Sequence, residues 1–210
     1  MNKTALIWGV NGGIGSALAG HLLKEGWQVA GTARSELKAL QITPLAFEAD
    51  VANPYSVRQA VAAMAQEIDG VDWWVYAIGD ILSSPIGNMD EVEWQRILNA
   101  NLTGVFHAIH HSQALLNEGA PIYILGAVSE RMRLPGLAAY AAAKAGLEAF
   151  AEVLRKELKR TVVVVRPAAV DTALWKKVPF RLPANALKAE ELAQKMYSAY
   201  QNNYKDLFLE

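Results

Sequence analysis

Tyr140-Ala-Ala-Ala-Lys144 sets a phenol and an ammonium four residues apart in a stretch of strong helix formers. On a helix, residues so spaced share a face. Such a pair can do acid/base chemistry. A free tyrosine, with a pKa of about 10, is a poor proton donor or acceptor near neutrality. A lysine ammonium roughly 4 Å away contributes about 4 kcal/mol at an effective dielectric of about 20. That equals about three pKa units, enough to bring the phenol near pH 7. The same spacing also describes an ordinary solvated pair.

A second constellation lies near the start of the chain, at Gly9-Val10-Asn11-Gly12-Gly13-Ile14-Gly15. A strand-like run precedes it and a helix-like run follows. There Gly9 permits a tight turn, Gly13 lets the backbone approach a pyrophosphate, and Gly15 lets the helix pack on the strand. The helix N-terminus offers free N–H groups to phosphate. This junction points to a dinucleotide. After the second strand comes Thr32-Ala33-Arg34-Ser35. An acid near here suits the ribose 2′-hydroxyl of NAD, whereas an arginine suits a 2′-phosphate. With Ala33 at the acid position and Arg34 next, NADP(H) is favoured over NAD(H), unless Arg34 is only a surface arginine. Asp50-Val51, after the third strand, can meet the adenine, or Asp50 can cap the helix near Pro54.

These residues need a scaffold, and the chain alternates two patterns. Strand-like runs are Thr4–Gly9, Gln28–Thr32, Leu45–Ala49, Val71–Ala77, Ile122–Gly126, Thr161–Arg166 and Asp206–Leu209. Helix-like stretches are Gly13–Glu25, Pro54–Ile68, about Asp90–Asn117, Ala138–Lys159 and Ala189–Asn202. The continuous β-branched run Val162–Val165 suits a parallel strand buried on both faces. The alternation predicts an α/β fold, a Rossmann-type doubly wound parallel sheet of about seven strands with helices on both faces. Ligands of such sheets bind beyond the carboxyl ends of the strands.

Composition narrows the function. The chain has 210 residues, which suits a single domain, 1–210, and is 52% apolar and 20% charged. Its net charge of −1, with no basic stripe, argues against nucleic acid as partner. With no cysteine there is no disulfide, thiol nucleophile or Cys-ligated zinc, which suits a cytoplasmic location. No apolar run reaches membrane-spanning length, and Ala5 to Val10 is too short for a signal segment. His107 and His111 have a spacing that can suit a metal, but no third ligand accompanies them, so no metal is expected.

In order along the chain, Gly9-x-x-x-Gly13-x-Gly15, Asp50-Val51, Tyr76-Ala77-Ile78-Gly79, Asn101-Leu102-Thr103-Gly104, Tyr140-x-x-x-Lys144 and Pro167-Ala-Ala-Val170-Asp171-Thr172 resemble the short-chain dehydrogenases/reductases. The resemblance covers essentially the whole length. It implies an NAD(P)(H)-dependent oxidoreductase acting on a small molecule, built as a homodimer or homotetramer through helix pairs near Asp90–Asn117 and Ala138–Lys159. It further implies Tyr140 as acid/base, Lys144 lowering its pKa and holding the nicotinamide ribose, and Asn101 holding a relay water. Cofactor contacts would come from Gly9, Asn11, Gly13, Ile14, Gly15, Arg34, Asp50, Val51, Ala77, Gly79, Tyr140, Lys144, Pro167, Val170 and Thr172.

The departures are informative. Strand four of the family usually ends Asn-Asn-Ala-Gly, and here Tyr76-Ala77-Ile78-Gly79 stands there. Trp8 replaces the usual threonine before Gly9. The family's catalytic serine precedes the tyrosine by 13 residues, and that position is Ala127. Losing such a donor costs about 3 kcal/mol of barrier. Three readings follow. Ser129 can take over through a rearranged loop. The substrate can be a conjugated imine (pterin-like) system that forms no oxyanion, as in dihydropteridine reductases, family members with alanine at this position. Or the protein is a catalytically weak NADP-binding sensor or regulator. Downstream, the segment near 173–188 carries Trp175 and Phe180, which either close over substrate as an apolar lid or pack on a neighbouring subunit. Lys176, Lys177 and Arg181 can attract an anionic substrate or simply solvate that loop. Trp8, Trp27, Trp73 and Trp74 read as core.

Overall fold

The computed structural model describes residues 2–210, with the backbone alone at Ser129. Strands β1 (Thr4–Trp8), β2 (Gln28–Ala33), β3 (Leu45–Glu48), β4 (Trp73–Tyr76), β5 (Ile122–Leu125) and β6 (Val162–Val165) alternate with helices α1 (Gly13–Lys24), α2 (Glu36–Leu40), α3 (Pro54–Glu67), α4 (Glu91–Leu98), α5 (Gly104–Ser112) and α6 (Ala138–Leu158). A short pair, β7 (Val170–Asp171) and β8 (Leu187–Lys188), precedes α7 (Ala189–Gln201) and β9 (Phe208–Leu209). Among the described residues the main sheet has seven parallel strands in the order β3-β2-β1-β4-β5-β6-β9. The order reverses between β1 and β4, so their carboxyl ends diverge into a crevice. The glycine turn and the Tyr76–Gly79 segment border it.

The continuous apolar strands follow from burial on both faces. On one face, Leu6, Trp8, Trp74, Ile122 and Val164 pack on α3, α5 and α6; on the other, Ala5, Ile7, Trp73, Val75 and Val163 pack on α1 and α7. Trp8, Trp27, Trp73 and Trp74 all lie in these cores, and Trp74 Nε1 donates to Ser112 Oγ at 2.8 Å. No helix among the described residues is long and apolar enough to cross a membrane.

The stretch Asp90–Asn117, expected as one helix, is broken. Between α4 and α5 lies a π-helical turn, Asn99–Thr103, and a 3-10 turn, Gln113–Leu115, follows α5. The cause is a wedge from the sheet. Tyr76 is fully buried and its hydroxyl donates to the Ala100 carbonyl at 2.8 Å. That hydroxyl occupies the space beside Gly104, where a Cβ would lie only 2.6 Å from it. The helix widens around the wedge, and the Gly104 N–H reaches back five residues to Asn99 O.

Other boundaries also differ. Helix α2 and the β7–β8 pair were unanticipated, being too short to show a period. Val71 makes only an isolated bridge to Leu116, so β4 begins at Trp73, and the last strand shrinks to two residues. Asp50 is not the cap of α3. Asn53 is, its Oδ1 accepting from the Tyr55 and Ser56 N–H groups ahead of Pro54, while Asp50 Oδ1 accepts from Ala52 N–H.

Candidate active site

The turn after β1 forms because Gly9 adopts φ +85°, a conformation L side chains rarely take. The Gly9 and Val10 N–H groups both donate to Thr32 O, tying the turn to β2. At Gly15 a Cβ would lie 2.2 Å from Gly9 O, so only glycine lets α1 start this close to the strand. No side chain among the described residues caps α1 at Gly12. Its first N–H groups therefore stand open toward the crevice. Thr172 closes the opposite side, its Cγ2 2.9 Å from where a Cβ on Gly13 would sit. Val170 is buried in β7, Pro167 and Ile14 are half-buried, and Asn11 and Gly13 stand exposed at the rim. Arg34 is exposed at the end of β2; Asp50 is exposed beyond β3, and Val51 is buried beneath it with its carbonyl 2.9 Å from His107 Nδ1. Ala77 N–H donates to Trp8 O, binding the β4 end to β1.

Across the crevice, α6 delivers Tyr140 and Lys144, which are 7% and 3% exposed. Lys144 Nζ donates to Leu125 O, at the end of β5, at 2.8 Å, and lies 5.7 Å from the centre of the Tyr140 ring. Burial decides their protonation. It pushes the phenol up to about 12 and the ammonium down to about 7. Without a cofactor, burial thus shifts the phenol in the opposite direction to the lowering that a charged Lys144 alone would give. Tyr140 holds its proton firmly and Lys144 titrates around neutrality.

Tyr140 faces an apolar surround. It clusters with Ile81, Ile97, Ala127 and Leu137, against which Trp94, Met132, Leu174 and Val178 pack. Ala127 thus belongs to the same buried cluster as the tyrosine. Ser129 begins a 3-10 turn, Ser129–Met132, and its side chain lies outside the described part of the structure. The apolar contacts of the 173–188 segment come from Leu174 and Val178. Trp175 instead donates from Nε1 to Val170 O at 2.8 Å, and Phe180 is exposed.

Asn101, on the widened turn, is fully buried. Its Nδ2 donates to Asp80 O at 2.7 Å and Ile97 O at 2.9 Å. Its Oδ1 has no partner among the described residues and lies 3.3 Å from where a Cβ on Gly79 would be. A buried acceptor left open next to a bare glycine is suited to a water. Sequence reasoning missed Asp80. Its carboxylate pairs with Arg96 and, at 2.6 Å, with Lys177. The available signal was a charged residue directly after Gly79 at a strand's carboxyl end.

Open helix N–H groups, a glycine-lined crevice and an unfilled acceptor at Asn101 fit a nicotinamide dinucleotide. Comparison with known proteins agrees. Residues 3–181 match the short chain dehydrogenase family. The chain is 33% identical over 186 residues to the 3-oxoacyl-(acyl-carrier-protein) reductase FabG of Vibrio cholerae, covering 83% of this chain and 76% of that one. It is 28% identical over 193 residues to the reductase MabA of Mycobacterium tuberculosis, covering 90% and 77%. Among solved structures, a short-chain dehydrogenase/reductase from Serratia marcescens superposes with a TM-score of 0.84 at 27% identity, covering 99% and 96% of the two chains. The chain belongs to the short-chain dehydrogenases/reductases and is an oxidoreductase that uses a nicotinamide cofactor.

Proposed function

We propose that the protein reduces an apolar carbonyl or conjugated imine compound with NADPH, Tyr140 giving the proton. The observation that carries this reading is Tyr140, buried in an apolar surround that disfavours its ionisation, beside a buried lysine. When bound, the dinucleotide supplies the hydride that adds to the substrate carbon. The Tyr140 O–H proton goes to the oxygen or nitrogen that receives the electron pair. Asn101 Oδ1 holds a water through which the phenolate regains a proton, and Lys144 binds the nicotinamide ribose. The α1 N-terminus and Thr172 would hold the pyrophosphate, and Arg34 would hold a 2′-phosphate. With alanine at 127, in the same cluster as Tyr140, the tyrosine is the one side-chain donor we assign to the substrate. That suits a conjugated acceptor, whose charge is spread, better than an isolated ketone. The names of the relatives support a carbonyl.

We also read the chain as a cytoplasmic single domain that pairs through α4, α5 and α6, where Val92, Phe106 and Val153 are exposed. The test is Tyr140→Phe, assayed by NADPH oxidation with 3-oxoacyl thioesters and quinonoid dihydropterins. Turnover falls at least about a thousandfold while NADPH affinity stays within about twofold, as one uncharged hydroxyl is lost. Unchanged turnover would remove Tyr140 from the mechanism. If the wild type oxidises NADPH with neither class, the reading as a weakly catalytic NADP-binding sensor, which Ala127 favours, takes its place.

A further inference from the structure

We propose that Asp80 is a positioning residue that latches the segment Ala173–Lys177 across the cofactor crevice. Its consequence for turnover rests on the function proposed above, but the latch itself does not. The Asp80 side chain is 14% exposed, and both of its oxygens are engaged. Oδ2 pairs with Arg96 of α4, which fixes the plane of the carboxylate. Oδ1 accepts from Lys177 Nζ at 2.6 Å and from Ile81 N–H at 2.9 Å. From the other side, Asn101 Nδ2 grips the Asp80 carbonyl at 2.7 Å. The latch is therefore mounted on a fixed piece of backbone at the end of β4.

Lys177 closes this contact from 97 residues away. It does so amid like charges. Partial burial, Arg96 and Arg34 all disfavour its ammonium, in that order. The attraction that offsets this crowding comes from Asp80. Remove the carboxylate and three cations are left facing one another at the mouth of the crevice. Leu174 and Val178 flank Lys177 and pack on the Tyr140 cluster, so the latch holds down the apolar lid. A dinucleotide phosphate beside Arg34 would ease the crowding at Lys177, so closure tightens when the cofactor binds.

Hydrogen exchange of residues 173–178 tests this without any substrate. Asp80→Asn and Lys177→Met are compared with the double variant and the wild type, each free of cofactor. Each single change speeds exchange of the segment by about fivefold, and the double is no faster than the faster single, because both remove one shared contact. Raising salt from about 0.05 M to about 0.5 M speeds exchange in the wild type but not in the variants. Unchanged exchange in both singles, multiplicative effects in the double, or no salt response in the wild type would each overturn the latch. Lys177→Met changes a half-exposed side chain and keeps the test valid if Asp80→Asn folds poorly. A wild type that never oxidises NADPH would sink the proposed function and leave this result standing.

Discussion

Lys144→Met is expected to make the protein more stable in mild acid. Lys144 is 3% exposed, and burial moves its ammonium from 10.5 down to about 7. Between about 7 and 10.5 the unfolded chain binds this proton and the native chain does not. Stability therefore rises with pH through that window, by up to about 1.4 kcal/mol per pH unit from this one group. Below pH 7 both states carry the charge and the full cost of burying it remains, about 5 kcal/mol. Methionine removes that cost and nearly fills the volume. It also removes the hydrogen bond to Leu125 O, leaving a buried carbonyl short of a donor at about 1–3 kcal/mol. The balance is a variant about 2–4 kcal/mol more stable than the wild type at about pH 6, and about 1–3 kcal/mol less stable above about pH 10.5. Urea unfolding at a series of pH values measures this, and the wild-type-minus-variant difference cancels every other titrating group. A difference that is flat from pH 7 to 10.5, or a variant less stable than the wild type at pH 6, would refute the claim that Lys144 is buried at the expense of its charge.

Two further substitutions probe the crevice. Ala127→Ser places a hydroxyl where the family has one. It raises kcat by up to about a hundredfold on carbonyl substrates and little on conjugated imines; stopped-flow hydride transfer that shows no gain with a ketone would place the reacting oxygen away from residue 127. Arg34→Ser weakens NADPH about tenfold, as expected for one charge-assisted contact, and leaves NADH unchanged. Fluorescence titration decides it, and a wild type that binds NADH as tightly as NADPH would remove Arg34 from cofactor choice.

The sheet was legible in the sequence because its strands are buried on both faces and their side chains advertise it; Val162–Val165 needs no partner to be recognised. The glycine turn was legible because backbone geometry restricts residue choice locally at Gly9 and Gly15. The rest required contacts through space. The break at Asn99–Thr103 is made by Tyr76, a residue of the sheet pushing into a helix 24 positions later. From sequence, Tyr76 looked like a lost asparagine, and only the packing shows it to be a wedge that leaves Asn101 on a widened turn. Asp80 and Lys177 are invisible as a pair for the same reason. So are the protonation states of Tyr140 and Lys144. Their spacing shows that they are neighbours, but burial sets the sign of both shifts.

That reversal bears on the direction in which such a site works. Burial disfavours the phenolate, so near neutral pH the cofactor-free protein keeps Tyr140 protonated. Oxidising an alcohol requires the phenolate as base, whereas reducing a carbonyl requires the protonated phenol as donor. The chain alone thus supplies the donor form and almost none of the base. The charges of a bound cofactor would alter this balance. The phosphates of a bound dinucleotide would favour Lys144 as its ammonium, and a charged Lys144 would in turn draw the phenol's pKa down. An oxidised dinucleotide would add a positive charge that pulls the phenol's pKa further down, toward the range a base needs. On the proposed reading, the apolar surround at Ile81, Ala127 and Leu137 therefore keeps the cofactor-free site in its proton-donor form near neutral pH, and the rate of alcohol oxidation rises as pH climbs toward the phenol's own range.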